Sequence, residues 1–253
     1  MFTKAIVRIP CPEMIHGLSS SSLGKPDFKK AMAQHQAYVD ALRSCGLEVE
    51  ILDADSRYPD SVFVEDVALC TPECAIITNP GAPSRNGERV DMRAVLEQYY
   101  DNVESIESPG TLDAGDVMMV GLHFFIGISE RTNSVGANQL KEILEVHSMT
   151  ASMVPLKEML HLKSGLSYLE QKHLLISEEF LNHPAFAGFQ LIAVDPDEAY
   201  AANSLWINST VLVPAGFPLT LAKIKEAGYQ TITLDVSEFR KLDGGLSCLS
   251  LRF

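Results

Sequence analysis

Residues 116–154 read DVMMVGLHFFIGISERTNSVGANQLKEILEVHSMTASMV, and the order of patterns within them decides the fold. DVMMV (116–120) and HFFIGI (123–128) are short apolar runs of strand length. TNSVGANQLKEILEVH (132–147) then places apolar residues at helical spacing, and MTASMV (149–154) reads as a strand again. The order is strand, strand, helix, strand.

Working outward, the same order returns. Upstream, SVFVEDVALC (61–70) and CAIIT (74–78) read as strands before the helical GERVDMRAVLEQYY (87–100) and the strand NVESI (102–106). Downstream lies a weaker copy: LSYLE (166–170), HLLIS (173–177), a short helical stretch around Glu179, and FQLIAV (189–194). The next copy holds SLWIN (204–208), STVLVP (209–214), the helix TLAKIKEAG closed by Gly228, and QTITLD (230–235). Glycine is an expected helix stop because it accepts positive φ cheaply. The ends of the chain supply the remaining parts. KAIVRI (4–9), the helix DFKKAMAQHQAYVDALRSC (27–45) stopped by Gly46, and LEVEIL (47–52) lack one strand, which LSCLSLRF (246–253) provides.

Five units in 253 residues give about 50 residues each, a period found in propeller-like arrays. A ring closed by pairing the two termini removes the exposed sheet edges that a linear array keeps. The expectation is an α/β chain of five ββαβ units closed by its N- and C-terminal strands; an open α/β sheet is the alternative with similar composition. No linker, low-complexity tract or long charge block divides the chain, so residues 1–253 are expected to form one domain.

Composition narrows the function. The chain is 46% hydrophobic and 21% charged, in the range of folded globular proteins. Its formal net charge of −13 disfavours phosphate backbones and anionic membranes and is compatible with a cationic small molecule. The N-terminus MFTKAIVRIPCPEM lacks the pattern of a secretory signal, and the most apolar stretch, 117–128, is too short to span a bilayer. Five cysteines (Cys11, Cys45, Cys70, Cys74, Cys248) point to free thiols and a cytoplasmic location. Cys70 and Cys74 have no second pair or histidine set at metal-ligand spacing and read as strand-end thiols.

Reactive residues recur at similar places in the units. Glu65 and Asp66 lie in the first strand of one unit, and Asp113 lies in TLDAGD at the mouth of the next. His161 precedes the first strand of the third, and Cys248 lies in the closing strand. A closed ring brings such positions together at its centre. Singly, each has a bland reading: a buried structural cysteine, a structural histidine like the other six in the chain, or turn-forming Asp and Gly at 113–116. Together, a thiol, a proton-shuttling imidazole and a carboxylate form a complete nucleophilic set. Asp66, beside Glu65, adds negative charge where a cation could be held. That cation could in turn lower the thiol pKa.

At these residues the sequence resembles the dimethylarginine dimethylaminohydrolases of the guanidino-modifying enzyme superfamily. The resemblance runs through GLSSSSLGKPDF, PDSVFVEDVAL, TLDAGDVMMVG, RTNSVGA, LHLKSGLSYLE, the YAAN stretch and KLDGGLSCLSLRF. It implies the five-bladed α/β propeller known as the pentein fold. It also implies hydrolysis of Nω-methylated arginines to citrulline and methylamine or dimethylamine, with no cofactor and no metal. By the same resemblance Cys248 is the nucleophile, His161 the proton donor, and Asp66 the holder of the guanidinium nitrogens. Asp113 either orients His161 or touches the guanidinium. Asp60, Arg85 and Arg131 grip the amino-acid end of the substrate, the Leu18 and Leu242 carbonyls help bind its α-amino group, and Glu65 lines the same pocket. A homodimer occurs among relatives, although the sequence carries no interface signature. Two rivals remain. Arginine deiminases carry Asp two residues after the catalytic histidine, where this chain has Lys163; a lysine directed inward there repels a guanidinium nitrogen. A non-catalytic pentein serving as a binding platform is expected to lack the cysteine or the histidine.

Overall fold

The structure, a computed structural model, describes residues 1–253. Its strands form five sheets of three strands each. In every sheet the central strand pairs antiparallel with one neighbour and parallel with the other, the parallel partner following the unit's helical segment. The central strands are Lys4–Arg8, Ala75–Ile77, His123–Ile128, His173–Ile176 and Thr210–Pro214. Lys4–Arg8 lies between Glu48–Leu52 and the C-terminal Leu251–Arg252, so one sheet draws on both ends of the chain.

Each central strand is buried on both faces, and successive side chains enter different cores because strand side chains alternate. Ala5 and Val7 pack with Leu205, Ile207 and Leu212, whereas Ile6 packs with Ala75 and Ile77. Ile76 turns the other way, toward Phe124 and Ile126. Phe125 faces Leu174 and Ile176. Leu175 then meets Val211 and Val213, while Leu212 returns to the core containing Ala5. Burying an aliphatic or aromatic side chain contributes about 1.5–3 kcal/mol, so a polar residue at any of these positions would break the link between two sheets.

The helices Phe28–Ser44, Glu88–Leu96, Ser134–Val146 and Pro218–Glu226 follow the expected segments. Asp27 caps the first by accepting from Lys30 N–H at 3.0 Å, and Asn133 caps the third by accepting from Gly136 N–H at 2.8 Å. Gly46 and Gly228 follow helix ends with φ of +90° and +93°, in the left-handed region that favours glycine. In the weak unit, two short 3-10 turns, Glu178–Phe180 and Pro184–Phe186, replace a helix. Pro184 has no N–H to continue a helix started upstream.

Two strand expectations need correction. The segment 61–70 is extended only at Ala68–Cys70, because Val64–Val67, which carries Glu65 and Asp66, forms a 3-10 turn. Thr78 secures that turn, its Oγ1 donating to the Asp66 carbonyl at 2.6 Å and its N–H donating to the Val67 carbonyl at 3.1 Å. At the C-terminus only Leu251–Arg252 is a strand; Cys248 lies in the preceding 3-10 turn, Ser247–Leu249.

Candidate active site

Turns just upstream of the first strands of the units deliver the polar side chains. Val64–Val67 carries Asp66; Ala114–Asp116, capped by Asp113, precedes Val117–Val120. His161 caps the short helix Leu162–Gly165 before Leu166–Tyr168. Asn203 ends the turn before Leu205–Ile207, and Ser247–Leu249 carries Cys248 before Leu251–Arg252. Four of these residues, Asp66, Asp113, His161 and Cys248, line one cleft of about 260 Å³. Leu18, Asp60, Arg85, Arg131 and Leu242 line it too.

His161 Nε2 donates to Asp113 Oδ2 at 3.1 Å, while the Gly81 N–H donates to Asp113 Oδ1 at 2.8 Å. Burial alone disfavours a charged imidazole. The Asp113 bond and the charges of Asp66, Asp116 and Asp113 outweigh it and raise the His161 pKa to about 9. Burial likewise pushes Asp113 upward, but His161 and the Arg85 charge bring it below the ordinary carboxylate range. His161 therefore carries its proton at neutral pH. Gly115 makes this closeness sterically possible: a Cβ there would lie 2.9 Å from Asp66 Oδ1 and 3.0 Å from His161 Cγ.

Asp66 Oδ2 accepts from Arg85 Nη1 at 2.5 Å, whereas Oδ1 is buried with no hydrogen-bond partner. A buried acceptor without a partner costs about 1–3 kcal/mol, so a donor entering the cleft gains from meeting it. Cys248 is half-buried. Burial and the charges of Asp66 and Glu65 push its thiol up to about 12, against lowering contributions from the Gly245 N–H and Lys163. At neutral pH the sulfur keeps its proton. A cation bound beside Asp66 would oppose that shift.

The two arginines differ in what holds them. Arg85 Nε and Nη2 donate to Glu88 at 3.0 and 2.8 Å, and Nη2 also donates to the Phe63 carbonyl at 2.8 Å. With Asp66 on Nη1, its fork is largely committed to the protein. Arg131 forms no salt bridge, and its backbone N–H donates to Ser129 Oγ at 3.0 Å. Asp60 accepts the Leu18 N–H on both oxygens, at 3.0 and 3.2 Å, and so holds residues 18–20 in the cleft lining. This segment is fastened at two further points, Ser19 Oγ donating to the Lys241 carbonyl and Ser20 N–H donating to Asp243 Oδ2.

Glu65 does not line this cleft. Its carboxylate faces a separate cavity of about 380 Å³ and meets Lys163 Nζ at 2.6 Å and Arg252 Nη2 at 2.8 Å. Burial raises its pKa, yet those two cations hold it below the ordinary value. Lys163 also lines the second cavity and not the cleft, so the repulsion of a guanidinium expected from an inward lysine does not arise.

Asn203 was not singled out from sequence. Its Nδ2 donates to the Lys163 carbonyl at 2.8 Å and Ser247 Oγ at 3.0 Å, and its Oδ1 accepts the Ser247 N–H at 3.0 Å. It thereby joins the turn after His161 to the turn bearing Cys248. The available signal was its place in YAAN, before the first strand of its unit.

Donor atoms of Asp66, Asp113 and His161 lie within 4.8 Å of one another, a spacing that could also hold a metal ion. Two of the three are already charge-paired with each other, and Asp66 is paired with Arg85. No helix is long and apolar enough to cross a membrane.

A family model described as N,N dimethylarginine dimethylhydrolase, eukaryotic, matches residues 24–188, a span that ends before Cys248. The N(G),N(G)-dimethylarginine dimethylaminohydrolase of Pseudomonas aeruginosa is 52% identical over 254 residues, covering 100% of both chains. That of Streptomyces coelicolor is 34% identical and covers 98% of this chain and 96% of its own. A solved cysteine-to-serine mutant of the Pseudomonas aeruginosa enzyme, complexed with citrulline, superposes with a TM-score of 0.99 at 51% identity over 100% of both chains. The N-terminal domain of ArgZ, at 19% identity, 98% and 97% coverage and a TM-score of 0.89, shares the fold. With a matching family model and full-length relatives above 30% identity, this chain belongs to the dimethylarginine dimethylaminohydrolase family.

Proposed function

We propose that the protein hydrolyses Nω-methylated arginines to citrulline and dimethylamine or methylamine. The observation that carries this reading is the grouping of Cys248, His161, Asp113 and Asp66 around one cleft, with Asp66 Oδ1 buried and unpartnered. A planar guanidinium supplies the donor that oxygen lacks, and its charge counters the Asp66 field on the sulfur. The thiol loses its proton to solvent as the cation binds, and the thiolate attacks the guanidinium carbon.

His161, charged at neutral pH, then acts as general acid. It gives its proton to the methylated nitrogen as the C–N bond breaks and the amine departs. An S-alkylthiouronium remains on Cys248. The neutral imidazole removes a proton from water, whose oxygen attacks the same carbon. Expulsion of the Cys248 thiolate and loss of the hydroxyl proton to solvent release citrulline. Asp113 keeps His161 aligned and charged. Arg131, free of salt bridges, is the fork for the substrate carboxylate. Arg85 mainly braces Asp66, and Asp60 with the Leu18 and Leu242 carbonyls surrounds the α-amino group.

Residues 1–253 act as one catalytic domain in this reading, a closed five-bladed propeller. The alternation of each central strand between two cores, returning from Leu212 to Ala5, supports closure. Five unpaired cysteines support a reducing, cytoplasmic setting, and the acidic balance of the chain argues against nucleic-acid partners.

The test is citrulline formation from asymmetric dimethylarginine and monomethylarginine, with arginine alongside because methyl groups alone give modest discrimination. Wild type is expected to turn over the methylated forms and Cys248→Ser to lose at least about 10³-fold in kcat. Equal turnover by Cys248→Ser would remove the sulfur from the mechanism.

A further inference from the structure

Asp116 belongs to TLDAGD but has no role in the reaction sequence above. Its side chain is completely buried, and its two oxygens bond to the separate segments that carry His161 and Arg131. Oδ1 accepts the Leu162 N–H at 2.9 Å, from the residue immediately after His161. Oδ2 accepts from Ser129 Oγ at 2.7 Å. Ser129 Oγ in turn accepts the Arg131 N–H at 3.0 Å and the Thr132 N–H at 3.1 Å, which orients its hydroxyl proton toward Asp116. The carboxylate thus only accepts hydrogen bonds, the arrangement suited to its ionised form; burial raises its pKa above the ordinary carboxylate value, opposed by the His161 charge and by these bonds.

We propose that Asp116 is a positioning residue that, through the Leu162 N–H and Ser129 Oγ, sets the proton donor His161 and the carboxylate-binding Arg131 at their working separation. Rigid placement of this kind is what converts a correct set of groups into a catalytic one. The inference rests on the proposed roles of His161 and Arg131, and it adds a separate electrostatic consequence. Groups facing His161 come from several elements: Asp113 and Asp116 from one turn, Asp66 from the Val64–Val67 turn, and Cys248 from the last turn. Arg85, Glu130 and Arg131 line the same cleft, while Lys163 follows in His161's own helix but turns away. Removing the negative charge of Asp116 therefore weakens the proton's hold on His161, opposed only by the unchanged groups.

Asp116→Asn and Ser129→Ala separate the two arms. Asp116→Asn keeps an acceptor for the Leu162 N–H but loses the charge. Its kcat/KM is expected to fall at lower alkaline pH than wild type, by about one pH unit, and the His161 imidazole followed by NMR is expected to titrate correspondingly lower. Ser129→Ala keeps Asp116 and frees the Arg131 backbone. KM is expected to rise about threefold or more, with kcat and the alkaline limb unchanged. An unchanged His161 titration in folded Asp116→Asn, or an unchanged KM in Ser129→Ala, overturns the corresponding arm. If Asp116→Asn does not fold, Ser129→Ala alone decides whether the linkage reaches Arg131. The NMR titration needs no turnover, so a protein that formed no citrulline would defeat the functional reading and leave Asp116 still decidable.

Discussion

Lys163 Nζ lies 2.6 Å from Glu65 Oε1, on the side of the site away from the cleft that holds His161. Arg252 Nη2 reaches the same oxygen at 2.8 Å, and Ser247 Oγ donates to the other at 2.8 Å. Ser247 joins this buried cluster to the turn that bears Cys248, and Lys163 acts on the sulfur from outside the cleft. Its charge lowers the thiol pKa, opposing burial, Asp66 and Glu65. Lys163→Met is expected to reduce kcat/KM at neutral pH several-fold and to destabilise the fold by about 1–3 kcal/mol, because Glu65 keeps Arg252 as its remaining cation. Steady-state kinetics and urea unfolding check both. Tighter substrate binding in Lys163→Met would instead mean that the ammonium repels the cation directly.

The pair of His161 and Asp113 makes the protein sensitive to alkali. The folded pKa of His161, about 9, stands above its ordinary value of 6.5. The stability this contributes is complete below pH 6.5 and is lost as pH rises through 9. In the proposed mechanism the same proton goes to the leaving amine, so kcat/KM is expected to decline above about pH 9. In Asp113→Asn both declines are expected to begin at lower pH. A pH–rate profile with a parallel series of urea midpoints tests the prediction; an alkaline limb at the same pH in both proteins would separate His161 from that step.

Arg85 and Arg131 are chemically alike but are expected to fail differently. Arg85 is buried among Asp66, Glu88 and two backbone carbonyls. Arg85→Ala leaves those carboxylates unpaired, which costs about 3–5 kcal/mol, and a fall in melting temperature is the expected primary defect. Arg131→Lys keeps the charge and loses the planar fork, so KM is expected to rise about tenfold with kcat largely retained. A folded Arg85→Ala protein with normal stability would show that its pairs contribute little.

The repeat was legible because strand length and helical spacing are local properties, and the weak unit was weak for a local reason, Pro184. The 3-10 turns at 64–67 and 247–249 were not legible. The first contains Val64 and Val67, of good strand propensity, and a tertiary bond from Thr78 Oγ1 to the Asp66 carbonyl overrides that preference; the second is tied through Ser247 to Asn203 and Glu65, partners distant in sequence. Cys248, His161, Asp113 and Asp66 could be placed by their equivalent positions in successive units. The direction of Glu65 could not, because it depends on Lys163 and Arg252, which are distant in sequence. Asn203 was missed although it occupies the same place in its unit: a neutral amide gives no chemical signal of its own.

His35 supplies an acid limit to stability. It lies in the Phe28–Ser44 helix, is 4% exposed, and its Nε2 has no hydrogen-bond partner. Burial lowers its pKa from 6.5 to about 4, and a hydrogen bond with the Arg8 backbone opposes this only in part. The folded protein therefore holds this ring neutral, while the unfolded chain takes up a proton near pH 6.5. Folding is penalised progressively as pH falls from 6.5 toward 4. The penalty reaches about 3 kcal/mol at the lower end, since a tenfold difference in proton affinity corresponds to about 1.4 kcal/mol. His35→Gln keeps a neutral polar side chain and removes the titration. Its urea midpoint is expected to fall less steeply than wild type across that interval, whatever its stability at neutral pH. Parallel slopes for the two proteins would assign the acid sensitivity to other groups.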